Sequence, residues 1–372
     1  MTLINLIGGQ LAPNYFAALK LRPDKIVLCH SLATKEGALQ LREQILKEFE
    51  SHISLFYVKP FDFDQIRKKA LVLKNTLVNQ NDSDIILNFT GGTKPQSLIF
   101  HEIFNSSAFR KLYVDTQNEC LWWNNETNYQ SDHFDFRFDV AQWLRLNNVS
   151  HFNQTDINII QSLKELSEYI YEKLQHQDKD GKKLKQFQTH LTRLLNDKRS
   201  WSGSYSDREL DIVEESGKNR VKVELYGKRY PYKKSDFWHT YITGGWFEFW
   251  VWGKLKETGA YDDIRGNVSI QTNSSSKKEI KNEIDVMAMF NGIPLFVECK
   301  SGRVTAASIN NLYNMTDRYG GKYAQKLLVS LYPVTHPSLV EKLNESGIDL
   351  INGPIGIGDK LTKYYQNLVI SP

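Results

Sequence analysis

Short apolar runs and longer apolar stripes alternate through the first third of the chain. Residues 3–7, 25–29, 53–58, 84–89 and 111–114 are rich in apolar side chains and predict buried strands. Between them, residues 34–49 carry Leu39, Leu41, Ile45 and Phe49, and residues 64–78 carry Ile66, Leu71, Leu73 and Leu77, which predicts two helices. A third helix is predicted over 95–104. Strands of this kind separated by helices predict an α/β fold with a parallel sheet covered on both faces. The domain is Rossmann-like, with its ligand crevice at the carboxyl ends of the strands.

The pattern then changes. Over 147–199 it is helical, first with Ile157, Ile160, Leu163, Leu166, Ile170 and Leu174, then with Leu184, Phe187, Leu191 and Leu194. This stretch predicts a helical connector. A serine-rich loop is expected at 201–206, and strands at 209–213 and 221–225 around Ser216-Gly217. From about Trp238 the chain predicts one aromatic helix, two paired strands, a helix, a strand, a helix and a final strand. The expected division is 1–146, a connector over 147–237, and 238–372.

Length agrees with more than one core, since 372 residues exceed the ~250–300 that a single core serves. Forty-seven basic against forty-three acidic residues give +4, too little to demand a polyanionic partner. No apolar run approaches the ~18 residues of a membrane helix. The first ten residues lack a basic region and are interrupted by Asn5, which argues against a signal peptide. Cys29, Cys120 and Cys299 are isolated, so neither a disulfide framework nor a structural zinc site is expected, and the compartment expected is the cytoplasm.

The chemistry is concentrated in 282–302. Asn291-Gly292 between two alternating runs predicts a tight hairpin. In that register Asp285 faces Glu298 with Cβ atoms ~4.5–5.5 Å apart, Glu283 faces Lys300, and Lys300 lies one diagonal step from Asp285. Facing carboxylates repel unless a positive charge lies between them, and hard oxygen ligands favour Mg²⁺ or Mn²⁺. Such a metal would lower the pKa of water and neutralise a phosphoryl group in transit. Lys300 would orient the attacking water or stabilise the pentavalent phosphate. Glu248 shares a helix face with Val251, Trp252 and Leu255, and an inward carboxylate there is costly unless paired or bound to metal. The expected catalytic set is Asp285, Glu298, Lys300 and Glu248, with Asp285, Glu298 and Glu248 holding the metal. The competing structural reading, a surface hairpin with cross-strand salt bridges, is opposed by the apolar Phe296, Val297 and Cys299.

These residues resemble the PD-(D/E)xK nuclease superfamily, over roughly 238–351. Ile284 stands where the proline of the signature would be. The resemblance implies a restriction-endonuclease-like domain over 238–372 and metal-dependent hydrolysis of phosphodiesters.

A second site is predicted where the fourth strand ends in Asn88-Phe89-Thr90-Gly91-Gly92-Thr93-Lys94 and a helix opens at Pro95. Glycines admit a ligand close to the backbone, and a helix N-terminus offers free N–H groups to anions. The spacing is not that of a Walker A loop. The segment resembles the strand-4 motif of CARF domains, the sensors of cyclic oligoadenylates in type III CRISPR immunity. The resemblance implies a CARF-like sensor over 1–146, a homodimer, and a ligand on its two-fold axis. The implied ligand contacts are Thr90, Gly91, Gly92, Thr93 and Lys94, with Gly8, Gly9, Gln10 and Asn14 after the first strand. His30 and Ser31 follow the second strand, and Thr116 follows the fifth.

The two resemblances together imply a CRISPR ancillary nuclease that cleaves DNA or RNA when cyclic tetra-adenylate binds. Two alternatives stay open: an unregulated restriction-like enzyme, and a ligand-responsive regulator whose nuclease fold is silent. No histidine spacing suits a metal site. Aromatic residues over 241–252 suit core packing, with base stacking as the other reading. Basic residues gather at Lys182, Lys183, Lys185, Arg193, Lys198 and Arg199, and again over 228–234, where phosphates could use them.

Overall fold

The computed structural model describes the chain apart from residues 81, 83, 117, 119, 126–127, 134–136, 148, 150, 177–178, 197–203, 216–219, 231–232, 272–280, 354 and 371–372. Part of the expected serine-rich loop, the Ser216-Gly217 turn, Lys198, Arg199, Pro231 and Tyr232 therefore lie outside the described residues. The chain divides into two compact units. One is Met1–His151 with Met289–Pro294 and Asp317–Ala324, and the other is Phe152–Ala288 with Leu295–Thr316 and Gln325–Pro372.

The first unit opens with β1 (Thr2–Leu6), α1 (Ala12–Leu21), β2 (Lys25–His30), α2 (Lys35–Glu48), β3 (His52–Tyr57), α3 (Phe63–Asn79), β4 (Ile85–Asn88), α4 (Lys94–Ile103) and β5 (Phe109–Asp115). These strands lie parallel in the order β3-β2-β1-β4-β5. All five residues of β1 are buried, as its apolar run requires of a central strand covered on both faces. From β1 the chain steps outward to β2 and β3, then crosses to β4 on the other side. The junction of β1 and β4 is thus the topological switch point, where open α/β sheets bind ligands. The parallel core matches the expectation.

Two features were not predicted. Helix α1 buries six residues in a row, Pro13 to Ala18, so it carries no stripe to read. An antiparallel pair, β6 (Cys120–Asn125) and β7 (Asn128–His133), extends the sheet beyond β5 before α5 (Val140–Leu146). Strand β7 is polar in sequence and owes its conformation to pairing with β6, which carries Cys120, Leu121, Trp122 and Trp123.

The second unit begins with β8 (Phe152–Asn153), α6 (Ile157–Ser162), α7 (Lys164–His176) and α8 (Lys179–Asn196). A small sheet follows, of β9 (Ser204–Ser206), β10 (Leu210–Glu215), β11 (Arg220–Leu225), β12 (Lys228–Arg229) and β13 (Lys233–Lys234). Next come α9 (Ser235–Thr240), a π-helical turn (Tyr241–Gly245) and α10 (Trp246–Glu257). Then follow β14 (Asp263–Gln271), β15 (Lys281–Phe290), β16 (Ile293–Lys300), α11 (Ala306–Tyr319), β17 (Gln325–Ser330), α12 (Pro337–Glu345), β18 (Asp349–Asn352) and α13 (Ile357–Ile370). The main sheet runs β18-β17-β16-β15-β14-β8, with β16, β17 and β18 parallel and β8 antiparallel to β14.

The hairpin forms where Asn291-Gly292 predicts it. Both residues have positive φ, 48° and 73°, the conformation of the primed turn that suits strand twist. Strand β14 and helix α13 were not predicted. Residues 152–237, read from the sequence as mostly connector, lie within the second unit. Their stripe (Ile170, Leu174, Leu184 and Leu191) shares one buried core with Trp246 and Trp250 of α10 and Val297 of β16. Among the described residues no helix is long and apolar enough to cross a membrane.

Candidate functional site

The aromatic helix fixes one wall of the site in the second unit. Trp246, Phe247 and Val251 are fully buried and anchor α10. The π-helical turn ahead of it contains Gly244, whose added Cβ would stand 3.6 Å from Ser301 Oγ, so this turn runs beside the end of β16. Such turns interrupt the helical register and recur at functional sites.

Glu248, on the first turn of α10, interacts electrostatically with Glu283, Glu298 and Lys300. Asp285 Oδ2 accepts a 2.7 Å hydrogen bond from the Cys299 backbone N–H. Lys300 Nζ stands 2.5 Å from Glu298 Oε1 and 4.0 Å from Asp285 Oδ2. The Asp285 and Glu298 side chains are only 13 % and 8 % exposed. The four residues singled out from the sequence are therefore brought together.

Electrostatics follow from that crowding. Burial, then repulsion from Glu283, pushes the Glu248 carboxyl up to about 7, although Lys300 and an Asn267 hydrogen bond pull it the other way. Burial, Glu248 and Glu298 push Asp285 well above the usual carboxylate range. For Lys300, burial opposes the charge, but Glu298 and Asp285 outweigh it and hold the ammonium above its ordinary value. Burial also pushes the Cys299 thiol up, so it is no nucleophile.

Asn267 was missed in the sequence. It sits inside β14 with a φ of 52°, hydrogen-bonds Glu248, and leaves its Oδ1 buried without a partner. The signal was Gly266-Asn267 within a strand pattern, a mark of a bulge or close approach. Among the described residues, no three His, Cys, Asp or Glu side chains stand together as a cage for an ion. The donors nevertheless suit a hard cation. Mg²⁺ keeps several waters and uses one or two carboxylates plus substrate phosphate. Asp285 and Glu298 would supply the carboxylates, and the unpaired Asn267 oxygen would be a further hard donor.

In the first unit the glycine loops meet at the switch point. A Cβ on Gly8 would lie 3.1 Å from Gly92 N, and one on Gly91 only 2.1 Å from Leu6 O, so the loops after β1 and β4 touch. A buried asparagine network holds them. Asn88 Nδ2 donates to Asn5 Oδ1 (2.9 Å) and Asn14 Oδ1 (3.3 Å), and Asn14 Nδ2 donates to Leu6 O (3.2 Å). Asn88 Oδ1 accepts from Thr90 N and Oγ1. Thr93 caps α4 in a reciprocal box with Gln96.

Several expected ligand contacts thus have protein partners. Asn14 is fully buried, Thr90 Oγ1 also receives Val114 N, and His30 Nδ1 pairs with Ser31 O. Ser31 bonds Thr34. Gly9 and Lys94 are exposed, and Gln10 and the Gly8, Gly91 and Gly92 backbones are partly so. Gln10 and Thr116 line a narrow cleft with Phe16 and Trp143. Asn5 and Asn88 were missed as positioning residues. Polar side chains inside fully buried strands were the available signal.

Residues 2–143 match the Card1 CARF domain, and residues 236–365 the Card1-like endonuclease domain. Among solved structures, protein VC1899 from Vibrio cholerae is similar at 18% identity and a TM-score of 0.77, over 99% of this chain and 98% of that one. Can2 from Sulfobacillus thermosulfidooxidans, solved in complex with cyclic tetra-adenylate, gives 19% and 0.73 over 98% of both chains. A type III CRISPR defence DNA nuclease activated by cyclic oligoadenylate gives 16% and 0.55, over 91% of this chain and 47% of that one. No curated protein matches. The two matched domains together take in well over half of the sequence, one on each side of the connecting stretch. The chain therefore belongs to the Card1-like CRISPR ancillary nucleases, in which a CARF sensor domain is joined to an endonuclease domain.

Proposed function

We propose that the protein is a metal-dependent endonuclease that hydrolyses nucleic-acid phosphodiesters when cyclic tetra-adenylate binds a homodimer of its sensor domains, in type III CRISPR antiviral defence. The observation that carries the nuclease reading is the packing of Glu248, Asp285 and Glu298 around Lys300. Buried like charges are costly, and pKa values pushed this far cluster where chemistry is done.

Asp285 and Glu298 would hold Mg²⁺ or Mn²⁺, with Glu248 and Asn267 beside them. A divalent cation there supplies positive charge against the phosphoryl oxygens and acidifies nearby water. The Cys299 N–H fixes the Asp285 carboxylate, and the Asn267 amide fixes Glu248. Lys300 stays protonated, so its role is to orient water or to stabilise the charge that develops on phosphate.

The activator reading rests on the touching glycine loops at the switch point. Exposed Lys94, at the start of α4, suits an anionic ring phosphate. A two-fold dimer grips a symmetric ring with the same loops from each subunit. Can2 in complex with cyclic tetra-adenylate and the oligoadenylate-activated DNA nuclease support this reading. The test is cleavage of labelled strands by wild type and Glu298→Gln with Mn²⁺ and cyclic tetra-adenylate. Wild type cuts and the variant does not. Equal rates would remove Glu298 from the site.

A further inference from the structure

Helix α8 contains five Lys or Arg residues against one Asp. Leu184 and Leu191 turn one face into the core. At 3.6 residues per turn, Lys179, Lys182, Lys185 and Arg193 fall on the opposite side, and all four are exposed. Among the described residues none of these four pairs with a carboxylate. The contrast within the same unit is informative. Lys164 pairs with Glu257, Lys173 with Glu209, Lys228 with Glu165, and Lys254 with Glu168 and Glu257. Those four lysines are neutralised by neighbours, whereas Lys179, Lys182, Lys185 and Arg193 stand along one helix as a stripe of uncompensated positive charge.

Two chains of contact tie α8, and Lys185 on its stripe, to the elements that carry the carboxylate site. On one side, Gln188 Nε2 donates to Ile242 O at 2.9 Å in the π-helical turn, which passes beside Ser301 and leads into the helix of Glu248. On the other, Lys185 Nζ stands 4.4 Å from the Tyr332 ring centroid. Leu331 N in turn donates to Lys300 O at 2.9 Å, and Ser330 Oγ to Tyr332 O at 2.8 Å. The ring fixes Lys185 next to the strand end that bears Lys300. The span from Lys182 to Arg193 is about 16 Å at 1.5 Å per residue. One strand of a duplex presents about five phosphates over that axial length.

We propose that α8 is the track for the substrate backbone, with Lys182, Lys185 and Arg193 holding phosphates of the strand that enters the Asp285–Glu298–Lys300 site. The inference rests on the nuclease reading and adds what that reading lacks, a surface that binds the polyanion without touching the scissile bond. Such contacts set affinity and carry no base sequence.

The test is steady-state cleavage of labelled DNA and RNA strands by the full chain, with Mn²⁺ and cyclic tetra-adenylate, over a range of salt. The triple variant Lys182→Gln/Lys185→Gln/Arg193→Gln should raise KM about tenfold or more at 0.1 M salt and leave kcat within about twofold. The slope of log(kcat/KM) against log[salt] should flatten by about 2–3, since each neutralised phosphate contributes about 0.7–0.9. Lys164→Gln, at a lysine already paired, should leave KM and slope unchanged. Equal effects on DNA and RNA support a backbone track, and an effect confined to one base composition overturns it. A triple variant with wild-type KM and slope, or one that loses kcat alone, also overturns it. Wild type that cuts no strand under any condition defeats the nuclease reading itself, an outcome readily told apart from the others.

Discussion

Replacing Glu248 with glutamine should stabilise the metal-free protein while ending its cleavage. The glutamate is nearly isosteric with glutamine, whose Oε1 still accepts from the Asn267 amide, so packing and that hydrogen bond survive. What disappears is the buried negative charge. Glu248 is raised from 4.5 to about 7, chiefly by burial and then by Glu283. About 2.5 pH units at roughly 1.4 kcal/mol each amounts to about 3 kcal/mol. The sign is that of an acid with a raised folded-state pKa. Below about pH 4.5 the carboxyl is protonated folded and unfolded, and the penalty is nil. As pH rises the unfolded chain ionises first, so stability is lost between about 4.5 and 7, and the loss is complete above 7.

In chelator, Glu248→Gln should therefore exceed wild type by up to about 3 kcal/mol at pH 8, and the two should converge near pH 4.5. A gap of that size is about 6–12 °C for a domain of 150–250 residues. Urea or thermal unfolding across this range reads the difference. Adding Mn²⁺ should stabilise wild type and close much of the gap. A variant no more stable than wild type at pH 8, or a gap independent of pH, would refute the claim that these carboxylates are held together against their own repulsion.

Asp285→Asn should abolish cleavage and weaken Mn²⁺ binding by calorimetry while leaving cyclic tetra-adenylate affinity unchanged. Lys300→Ala should lose nearly all cleavage yet still bind Mn²⁺, because it removes the ammonium and neither carboxylate. Gly91→Ala should destabilise the first unit and weaken activator binding, since its Cβ meets Leu6 O at 2.1 Å. Gly9→Ala, with nothing within 4 Å, should melt like wild type in calorimetry. Lys94→Ala should weaken the activator with no change in melting temperature, and unchanged affinity would take this lysine out of the ligand site.

The parallel strands were legible because burial on both faces demands continuous apolar runs, as in β1 and β4. The hairpin was legible because Asn-Gly suits two successive positive φ angles. Helix α1 was not, since burial all around leaves no polar face to set a period. Strands β6 and β7 form consecutive hairpins with β5, and polar β7 takes its form from pairing with β6 rather than from an apolar run. In the second unit, Asp285, Glu298 and Lys300 could be grouped from strand register alone. Asn267 could not, because Gly-Asn inside a strand reads as a turn until its neighbour across the sheet is known. In the first unit, residue type marked the two glycine loops that meet at the switch point but not the direction of side chains. Asn14, His30 and Thr90 are polar, yet each spends hydrogen-bonding capacity on the protein itself.

The central claim is that one chain couples a cyclic-nucleotide sensor to a metal-dependent nuclease. The most direct measurement is the cleavage rate of labelled single- and double-stranded DNA and RNA, with Mn²⁺ and cyclic tetra-adenylate each present or absent, alongside light scattering of the same samples. The account predicts a dimer in every sample, low cleavage with either component alone, and fast cleavage only with both. A ligand-free monomer that cuts at full rate would contradict it.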